Sequence, residues 1–269
     1  MLAATASIRP NRRLLLRSAL IGHTGFVGGS LLEQTRFDDA YNSSNVEEIE
    51  GRHYPLVVCA GAPGAKWKAN LDPDRDRESL ERLMKSLGRA SADHVVLIST
   101  VDVYPVPVGV DEDTVIAENE GSPYGRHRLL LERFVQDRFS STVVRLPGLF
   151  GAGLKKNVIY DFLNQNNLEA ICPESVFQFY PLSRLWHDVE KVWRSGLPLL
   201  NFATEPTSVR TVAAKAFGFE FENSRAPAPV RYDMRTRHAA DFGRRGAYLY
   251  DAEDVLRHLT EYVRGERGK

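Results

Sequence analysis

A glycine-rich turn follows the first apolar run of the chain, and it constrains the fold more than any other feature of the sequence. The turn, Gly22-His23-Thr24-Gly25-Phe26-Val27-Gly28, lies between an apolar run at 14–21 and a predicted helix at 26–34. In a strand–turn–helix unit, three glycines permit a tight turn, close backbone approach to a pyrophosphate and close packing of the helix on the strand. The free N–H groups of the helix then face the anion. We therefore expect this turn to bind the pyrophosphate of NAD or NADP, through Gly22, Thr24, Gly25, Phe26, Val27 and Gly28.

Apolar runs recur along the chain at the spacing of alternating strands and helices. The compact runs at 56–60 and 94–98 are rich in β-branched residues, which is typical of strands buried on both faces. Residues 75–90 and 124–139 carry their apolar residues at helical spacing. Further strands are predicted at 40–41, 142–145 and 197–203, and a last helix at 247–264. This alternation predicts an α/β fold, a Rossmann-type doubly wound parallel sheet with helices on both faces.

The pattern of the chain changes near residue 151, and this change predicts its domain organisation. Residues 1–13 are basic and poor in acids, and we expect a disordered leader there. Residues 14–151 form the predicted dinucleotide-binding domain. Residues 152–269 form a small substrate-binding lobe, from which about 197–210 returns to the sheet. The lobe would lie over the carboxyl edge of the sheet, where open α/β sheets bind ligands.

Composition excludes several classes of partner. Lysine plus arginine and aspartate plus glutamate each number 35, so no net charge attracts nucleic acid or anionic lipid. The two cysteines, Cys59 and Cys172, are far apart, and the seven histidines show no metal-ligand spacing. No apolar run approaches the roughly 20 residues that span a bilayer. We expect a cytoplasmic protein with free buried thiols and with no metal, nucleic-acid or membrane partner.

The segment that would meet the adenosine ribose leaves the choice of cofactor open. About twenty residues beyond the first glycine, a dinucleotide-binding fold presents an acid to the ribose hydroxyls. This chain has Asn42 and Ser43 there, which suit either a ribose hydroxyl or a 2′-phosphate. The alternative is that both residues form a capping turn before a helix near Val46. NAD and NADP therefore both stay open.

Several further segments, in order along the chain, carry a family resemblance. Small residues, Ala60-Gly61, follow one predicted strand, and Thr100 ends the next in Ile98-Ser99-Thr100-Val101-Asp102-Val103-Tyr104. Tyr124-Gly125-Arg126-His127-Arg128 matches a YxxxK helix except at its last position, and Arg145-Leu146-Pro147-Gly148-Leu149-Phe150-Gly151 resembles an Arg-x-Pro loop. Together they resemble the extended short-chain dehydrogenase/reductase family, the epimerases, dehydratases and reductases of sugar nucleotides. The resemblance implies that the cofactor is contacted by Ala60, Gly61, Tyr124, Arg128, Leu146, Pro147 and Leu149.

The same resemblance implies a catalytic group of Thr100, Tyr124 and Arg128. A tyrosine hydroxyl has an ordinary pKa near ~10, and a cation one helical turn away favours its phenolate. Tyr124 and Arg128 are i and i+4, so they share a helix face, and the Thr100 hydroxyl would hold the substrate oxygen. Arginine differs from the family's lysine in planarity and hydration. Arg128 therefore either keeps the role in an altered geometry or marks a loss of activity. The alternatives are that Tyr124 only packs and that Thr100 is an ordinary strand residue.

The resemblance also places substrate-binding residues around the loop at 151–157. Lysines in this loop would offset the charge of a diphosphate, although Lys155 suits an ordinary solvated position. Only one acid follows Thr100, which disfavours elimination chemistry. The predicted substrate-binding residues are Asp102, Lys156, Asn157, Gln178 and Arg184.

Two functions from different classes follow from these patterns. The first is an NAD(P)-dependent oxidoreductase or epimerase that acts on a nucleotide-linked sugar or a similar hydroxy or keto compound, with Tyr124 as acid/base. The second is a non-catalytic NAD(P)-binding sensor or assembly protein, which the arginine at 128 favours. Helices over 78–90 and 124–139 resemble the pair through which family members dimerise, so the resemblance also implies a homodimer.

Overall fold

A six-stranded parallel sheet forms the centre of the fold. The structure is a computed structural model that describes residues 17–268. Its central strands are β1 (Ser18–Ile21), β2 (Asp39–Tyr41), β3 (Leu56–Cys59), β4 (Val95–Thr100), β5 (Ser141–Leu146) and β6 (Leu199–Asn201). They lie in the order β2-β1-β3-β4-β5-β6, and every neighbouring pair is parallel. The order reverses between β1 and β3, the position at which open α/β sheets bind ligands.

α-Helices flank this sheet, and side chains cap the first turn of several of them. They are α1 (Phe26–Gln34), α2 (Lys66–Leu71), α3 (Pro73–Gly88), α4 (Pro123–Arg138), α5 (Val158–Asn164), α6 (Leu185–Ser195), α7 (Val209–Val212) and α8 (Ala252–Arg267). Asp72 and Ser122 accept N–H bonds from the first turns of α3 and α4, and a proline follows each cap. Shorter helical segments lie at Val46–Ile49, Val101–Val103, Leu168–Ala170, Leu182–Arg184, Ala213–Phe217 and Ala239–Phe242.

Alternate residues of the central strands face two separate apolar cores. Leu20 and Val58 point to the side that carries α6 and α8, while Ile21 and Val57 point to the side of Leu80 and Leu83 in α3. Because both faces are covered, these strands are continuous apolar runs rather than alternating ones. The predicted doubly wound sheet is therefore confirmed.

Short two-stranded pairs lie above the carboxyl edge of the sheet, and each includes a segment from beyond β5. These pairs are Gly148–Phe150 with Phe179–Pro181, Val176–Phe177 with Thr207–Ser208, and Val108–Val110 with Asp233–Met234. A further pair, His53–Tyr54 with Ser91–Ala92, joins the sequences leading into β3 and β4. Of the segment at about 197–210, only Leu199–Asn201 (β6) lies in the central sheet, beside β5.

Several predicted boundaries differ from the observed ones. The leader at 1–13 and the first residues of the strand predicted at 14–21 lie outside the described residues. The last helix begins at Ala252 rather than at 247, because the Asp251 side chain caps it by accepting from the Asp254 N–H. The segment after Pro147 resumes as a strand at Gly148–Phe150, because it finds a pairing partner distant in the chain.

Residues 17–268 contain neither a membrane-spanning helix nor a metal-binding cluster. No helix in this range is long and apolar enough to cross a bilayer. The same range holds no cluster of three or more histidine, cysteine, aspartate or glutamate side chains placed to bind a metal ion. Cys59 and Cys172 are both buried free thiols.

Candidate functional site at the carboxyl edge of the sheet

The three glycines of the turn are held to different constraints. Gly22 has φ +93°, and a Cβ there would collide with the carbonyl oxygen of Ala60. A Cβ on Gly28 would collide with the carbonyl oxygen of Gly22. Gly25 has an ordinary φ of −80°, and a Cβ there would meet only the Gly22 oxygen, at 3.3 Å. The packing of the protein thus requires glycine at positions 22 and 28, whereas a Cβ on Gly25 would make a single tight contact.

Gly25 lies at the N-terminus of α1. Gly25 is the N-cap residue and provides no side-chain cap for the helix. The first N–H groups of an α-helix lack intrahelical partners and suit an anion. Thr24 and Gly25 are exposed there, and Phe26 and Val27 are half-buried. A pyrophosphate therefore fits this cradle, where a side chain on Gly25 would intrude.

Asn42 and Ser43 lie beside this cradle, in a turn. The Asn42 Oδ1 accepts from the Ser44 N–H at 2.8 Å and from the Ser44 hydroxyl at 2.6 Å. The Asn42 amide nitrogen lies 3.3 Å from Nε2 of His23 in the glycine turn, and Ser43 is exposed. The structure thus contains a turn at Asn42 and Ser43, followed by a 3₁₀ segment at Val46–Ile49 that neither side chain caps.

Tyr124 and Thr100 are brought together at the end of β4. Tyr124 lies in the first turn of α4 and is buried, and Thr100 is the last residue of β4. Burial raises the pKa of Tyr124 above its ordinary value. The charge of Arg128 and a hydrogen bond with Thr100 oppose the shift, whereas the charge of Asp102 adds to it. The neutral phenol is therefore the favoured form at neutral pH.

Arg128 is held by protein partners rather than extended into the cleft. Its side chain is only 2% exposed, and its guanidinium carbon lies 3.9 Å from the centre of the Tyr124 ring. Nη2 donates to Oδ1 of Asp76 at 2.9 Å and to the carbonyl of Pro63, and Nη1 donates to the second Asp76 oxygen. Nη1 also lies 3.3 Å from the Tyr124 carbonyl. Arg128 therefore lies against Tyr124 as the spacing predicts, with its charge compensated by a buried carboxylate.

Asp76 is a site residue that sequence reasoning missed. Burial alone would raise the pKa of this carboxyl, but hydrogen bonds from Arg128 and His127 outweigh it and hold the pKa below its ordinary value. Nδ1 of His127 lies 2.8 Å from Oδ2 of Asp76. Asp76 is on α3, distant in sequence from α4, and no local pattern marks it as a partner of Arg128.

Asp102 belongs to a second polar cluster in front of Thr100 and Tyr124. Nζ of Lys66 donates to Oδ1 of Asp102 at 2.8 Å, and the Tyr232 hydroxyl donates to the same oxygen at 3.2 Å. Burial alone would lower the pKa of Lys66, but Asp102 raises it above the ordinary value. Lys66 and Tyr232 were not predicted. The position of Lys66 soon after β3 is a usable signal, whereas Tyr232 comes from a distant loop.

The two predicted residues of the loop at 151–157 have different roles. Nζ of Lys156 donates to the carbonyl oxygen of Gly64, and burial lowers its pKa. Asn157 caps α5 by accepting from the Ile159 and Tyr160 N–H groups, and its amide donates to the Leu149 carbonyl at 2.8 Å. Asn157 therefore shapes the loop, while Lys156 lies at the cleft.

Gln178 and Arg184 are not brought to this site. The Gln178 amide is buried and bonded to backbone, donating to the Met234 and Thr204 carbonyls and accepting from the Met234 N–H. Arg184 donates to the Tyr250 hydroxyl at 3.2 Å and lines a separate cavity of about 110 Å³. Both side chains therefore have protein partners away from Thr100 and Tyr124.

The remaining predicted cofactor residues follow the central strands. Ala60 and Gly61 come directly after β3 and are half-buried beside Gly22. Leu146 ends β5, Pro147 is buried behind it, and Leu149 is half-buried. The predicted residues Gly22, Gly25, Thr100, Tyr124 and Lys156 thus lie along the same carboxyl edge as these segments.

Arg145 is part of a buried network below the site. Its Nη2 donates to Oε2 of Glu132 at 2.6 Å, and its Nη1 donates to the Tyr104 hydroxyl at 2.8 Å. Glu132 also accepts from the Ser99 hydroxyl, and Asn201 donates to Tyr104 at 2.9 Å. This network joins α4 to strands β4, β5 and β6, so it fixes the helix that carries Tyr124.

Comparisons with known proteins identify solved structures with the same architecture. The Bordetella bronchiseptica enzyme WbmG in complex with NAD matches with a TM-score of 0.73 and 15% identity, over 96% of each chain. A dTDP-4-dehydrorhamnose reductase from Clostridium acetobutylicum matches with a TM-score of 0.71 and 16% identity, over 93% of this chain and 99% of that one. A UDP-glucose 4-epimerase with UDP-glucose from Thermotoga maritima matches with a TM-score of 0.67 and 15% identity, over 92% of this chain and 98% of that one.

Similarity at the level of sequence is much weaker than this structural similarity. No protein-family model matches the sequence, and no curated protein matches it. At identities of 14–18% the solved structures are informative about architecture alone. The chain shares with them the Rossmann-type fold, a parallel sheet with helices on both faces.

Proposed function

We propose that the chain binds NAD or NADP and catalyses oxidoreduction or epimerisation of a nucleotide-linked sugar. The observation that carries this proposal is the placement of two features on one sheet edge. The uncapped N-terminus of α1 follows β1, and the paired side chains of Thr100 and Tyr124 stand at the end of β4. A dinucleotide with its pyrophosphate at the N-terminus of α1 would extend along the sheet edge toward Thr100 and Tyr124.

The solved structures with the same fold support the proposal by analogy. That of WbmG contains NAD, and that of the Thermotoga epimerase contains UDP-glucose. Since one fold hosts many functions, function depends on the local chemistry of the site. Here that chemistry is a hydroxyl pair beside an anion cradle, with a cleft that also presents Asp102, Lys66 and Lys156.

The proton chemistry follows from the protonation state of Tyr124. A bound nicotinamide would supply or accept the hydride. Because its pKa is raised, Tyr124 is a neutral proton donor at neutral pH, which suits reduction of a carbonyl. Thr100 would hydrogen-bond to the same substrate oxygen. Oxidation needs Tyr124 to accept a proton, so its rate should increase as the pH rises.

The experiment combines cofactor titration with a single hydroxyl deletion. NADH and NADPH are titrated by fluorescence, and turnover of UDP-glucose is measured for the wild type, Tyr124→Phe and the control Tyr160→Phe. Since general acid–base catalysis contributes about 10²–10⁴-fold, Tyr124→Phe should lose at least about 100-fold in kcat and still bind dinucleotide. Tyr160→Phe should behave as wild type. Failure of the wild type to bind either dinucleotide would refute the proposal.

The second candidate is a non-catalytic dinucleotide-binding sensor or assembly protein. The buried pair of Arg128 and Asp76 favours it, because the cation at the YxxxK position is compensated. This candidate predicts NADH binding without turnover of any sugar nucleotide, in the wild type and in an Asp76→Asn/Arg128→Lys double variant. Turnover of a sugar nucleotide by the wild type would exclude it.

A further inference from the structure

The loop at 151–157 bridges the two segments proposed to contact the dinucleotide. At one end, Gly153 lies beside α1, where a Cβ on it would be 4.0 Å from the Phe26 ring. At the other end, Nζ of Lys156 donates to the carbonyl oxygen of Gly64, four residues after Ala60. These segments follow β1 and β3, the strands between which the sheet order reverses. The loop therefore crosses the cleft where the pyrophosphate would run.

Lys156 differs from the other cations of the site in its partners. Arg128 is paired with Asp76, and Lys66 with Asp102. Within residues 17–268, no carboxylate lies within 4.0 Å of Nζ of Lys156. The charged groups that act on it are Asp102, which favours its ammonium form, and Arg128, which disfavours it.

The environment of Lys156 makes an anionic ligand favourable. Lys156 is exposed at the cleft, and the protein around it lowers the pKa of its ammonium below the ordinary value. An ammonium bonded to a peptide carbonyl and to no carboxylate lacks the compensation that an anion would provide. The residues that this loop contacts, Phe26 and Gly64, belong to the segments that follow β1 and β3.

We propose that Lys156 is a cofactor-binding residue whose ammonium pairs with the pyrophosphate of the dinucleotide. It supplies the positive charge that Arg128, held by Asp76, does not. This inference rests on the proposed dinucleotide binding. It replaces the expectation from sequence that Lys156 meets the diphosphate of the substrate.

The test compares two adjacent lysines in the full chain. NADH is titrated by fluorescence at several salt concentrations against the wild type, Lys156→Met and Lys155→Met, the last being the matched control. We expect Lys156→Met to weaken NADH binding about tenfold, which corresponds to about 1.4 kcal/mol, and to reduce its salt dependence. Lys155→Met should leave the dissociation constant within about twofold of wild type.

A pH titration tests the same contact without removing the side chain. Because the pKa of Lys156 lies below its ordinary value, NADH affinity of the wild type should fall as the pH rises toward the ordinary lysine pKa of about 10.4. Lys156→Arg keeps its charge throughout and should show no such fall. This arm remains informative even where Lys156→Met does not fold.

The outcomes separate this inference from the proposed function. If the wild type binds neither NADH nor NADPH, the proposed function itself is wrong. If the wild type and Lys156→Met bind NADH equally, the inference alone is wrong. In that case a selective loss of UDP-glucose binding in Lys156→Met would return this lysine to the substrate site.

Discussion

Replacing Asp76 by asparagine removes the charge that compensates Arg128 and preserves the shape of the side chain. Oδ1 of Asp76 lies 2.9 Å from Nη2 of Arg128, and both side chains are at least 95% buried. At a charge separation of about 4 Å and an effective dielectric constant of about 20, the lost attraction is about 4 kcal/mol. This agrees with the 3–5 kcal/mol that breaking a buried ion pair costs. We therefore expect Asp76→Asn to lower the free energy of unfolding by about 3–4 kcal/mol.

The assay is urea and thermal unfolding of the full chain at pH 7 and at acidic pH. A loss of this size lowers Tm by roughly 10 °C in a protein of this length. Because the pKa of Asp76 is depressed in the folded state, its contribution is complete above the unfolded pKa of about 3.9 and is lost as the pH falls through the folded value. The difference in the free energy of unfolding between wild type and Asp76→Asn should therefore become smaller at acidic pH.

A matched control lies on the same helix. Glu81 forms an exposed i,i+4 pair with Arg77, and such pairs contribute about 0.3–0.5 kcal/mol. Glu81→Gln should therefore change stability little at any pH. If Asp76→Asn is no more destabilising at pH 7 than Glu81→Gln, Arg128 is not held by a buried carboxylate and the reasoning is refuted.

The other predictions concern the glycine turn and Gln178. Gly25→Ala should fold with a Tm near that of wild type and bind NADH at least tenfold more weakly, as titration would show, because its Cβ enters the anion cradle. Gly22→Ala should fail to fold, since its φ of +93° is strained for alanine and its Cβ would collide with the Ala60 carbonyl oxygen. Gln178→Ala should lower Tm, measured by calorimetry, and leave KM for UDP-glucose unchanged. A large rise in KM would restore Gln178 to the substrate site.

Much of the central sheet could be predicted because its strands are buried on both faces. The continuous apolar runs at 56–60 and 94–98 lie within two residues of the observed strands, and the helix Phe26–Gln34 has the predicted bounds. The short pairs could not be predicted. Gly148–Phe150 is a strand only because Phe179–Pro181 lies beside it, and nothing local specifies that partner.

The site divides in the same way between local and distant determinants. Residues that directly follow a strand, such as Gly22 and Thr100, could be placed at the carboxyl edge from the sequence. Tyr232 reaches the same edge from a loop near the end of the chain, and its contact with Asp102 depends on the whole fold. The partners of Gln178 and Arg184, which are buried backbone groups and the Tyr250 hydroxyl, likewise depend on the fold and have no local signal in the sequence.

Arg128 shows how far a motif alone can specify chemistry. The i,i+4 spacing places its guanidinium against Tyr124 as predicted, but its effective charge depends on Asp76 in another helix. Arg128→Lys alone keeps that carboxylate, so the cation stays compensated. In the double variant Asp76→Asn/Arg128→Lys, the ammonium lacks a carboxylate partner and should lower the pKa of Tyr124. The pH profile for oxidation of UDP-glucose should then shift to lower pH in the double variant and not in Arg128→Lys. A shift of equal size in both would mean that Asp76 does not control the charge at this position.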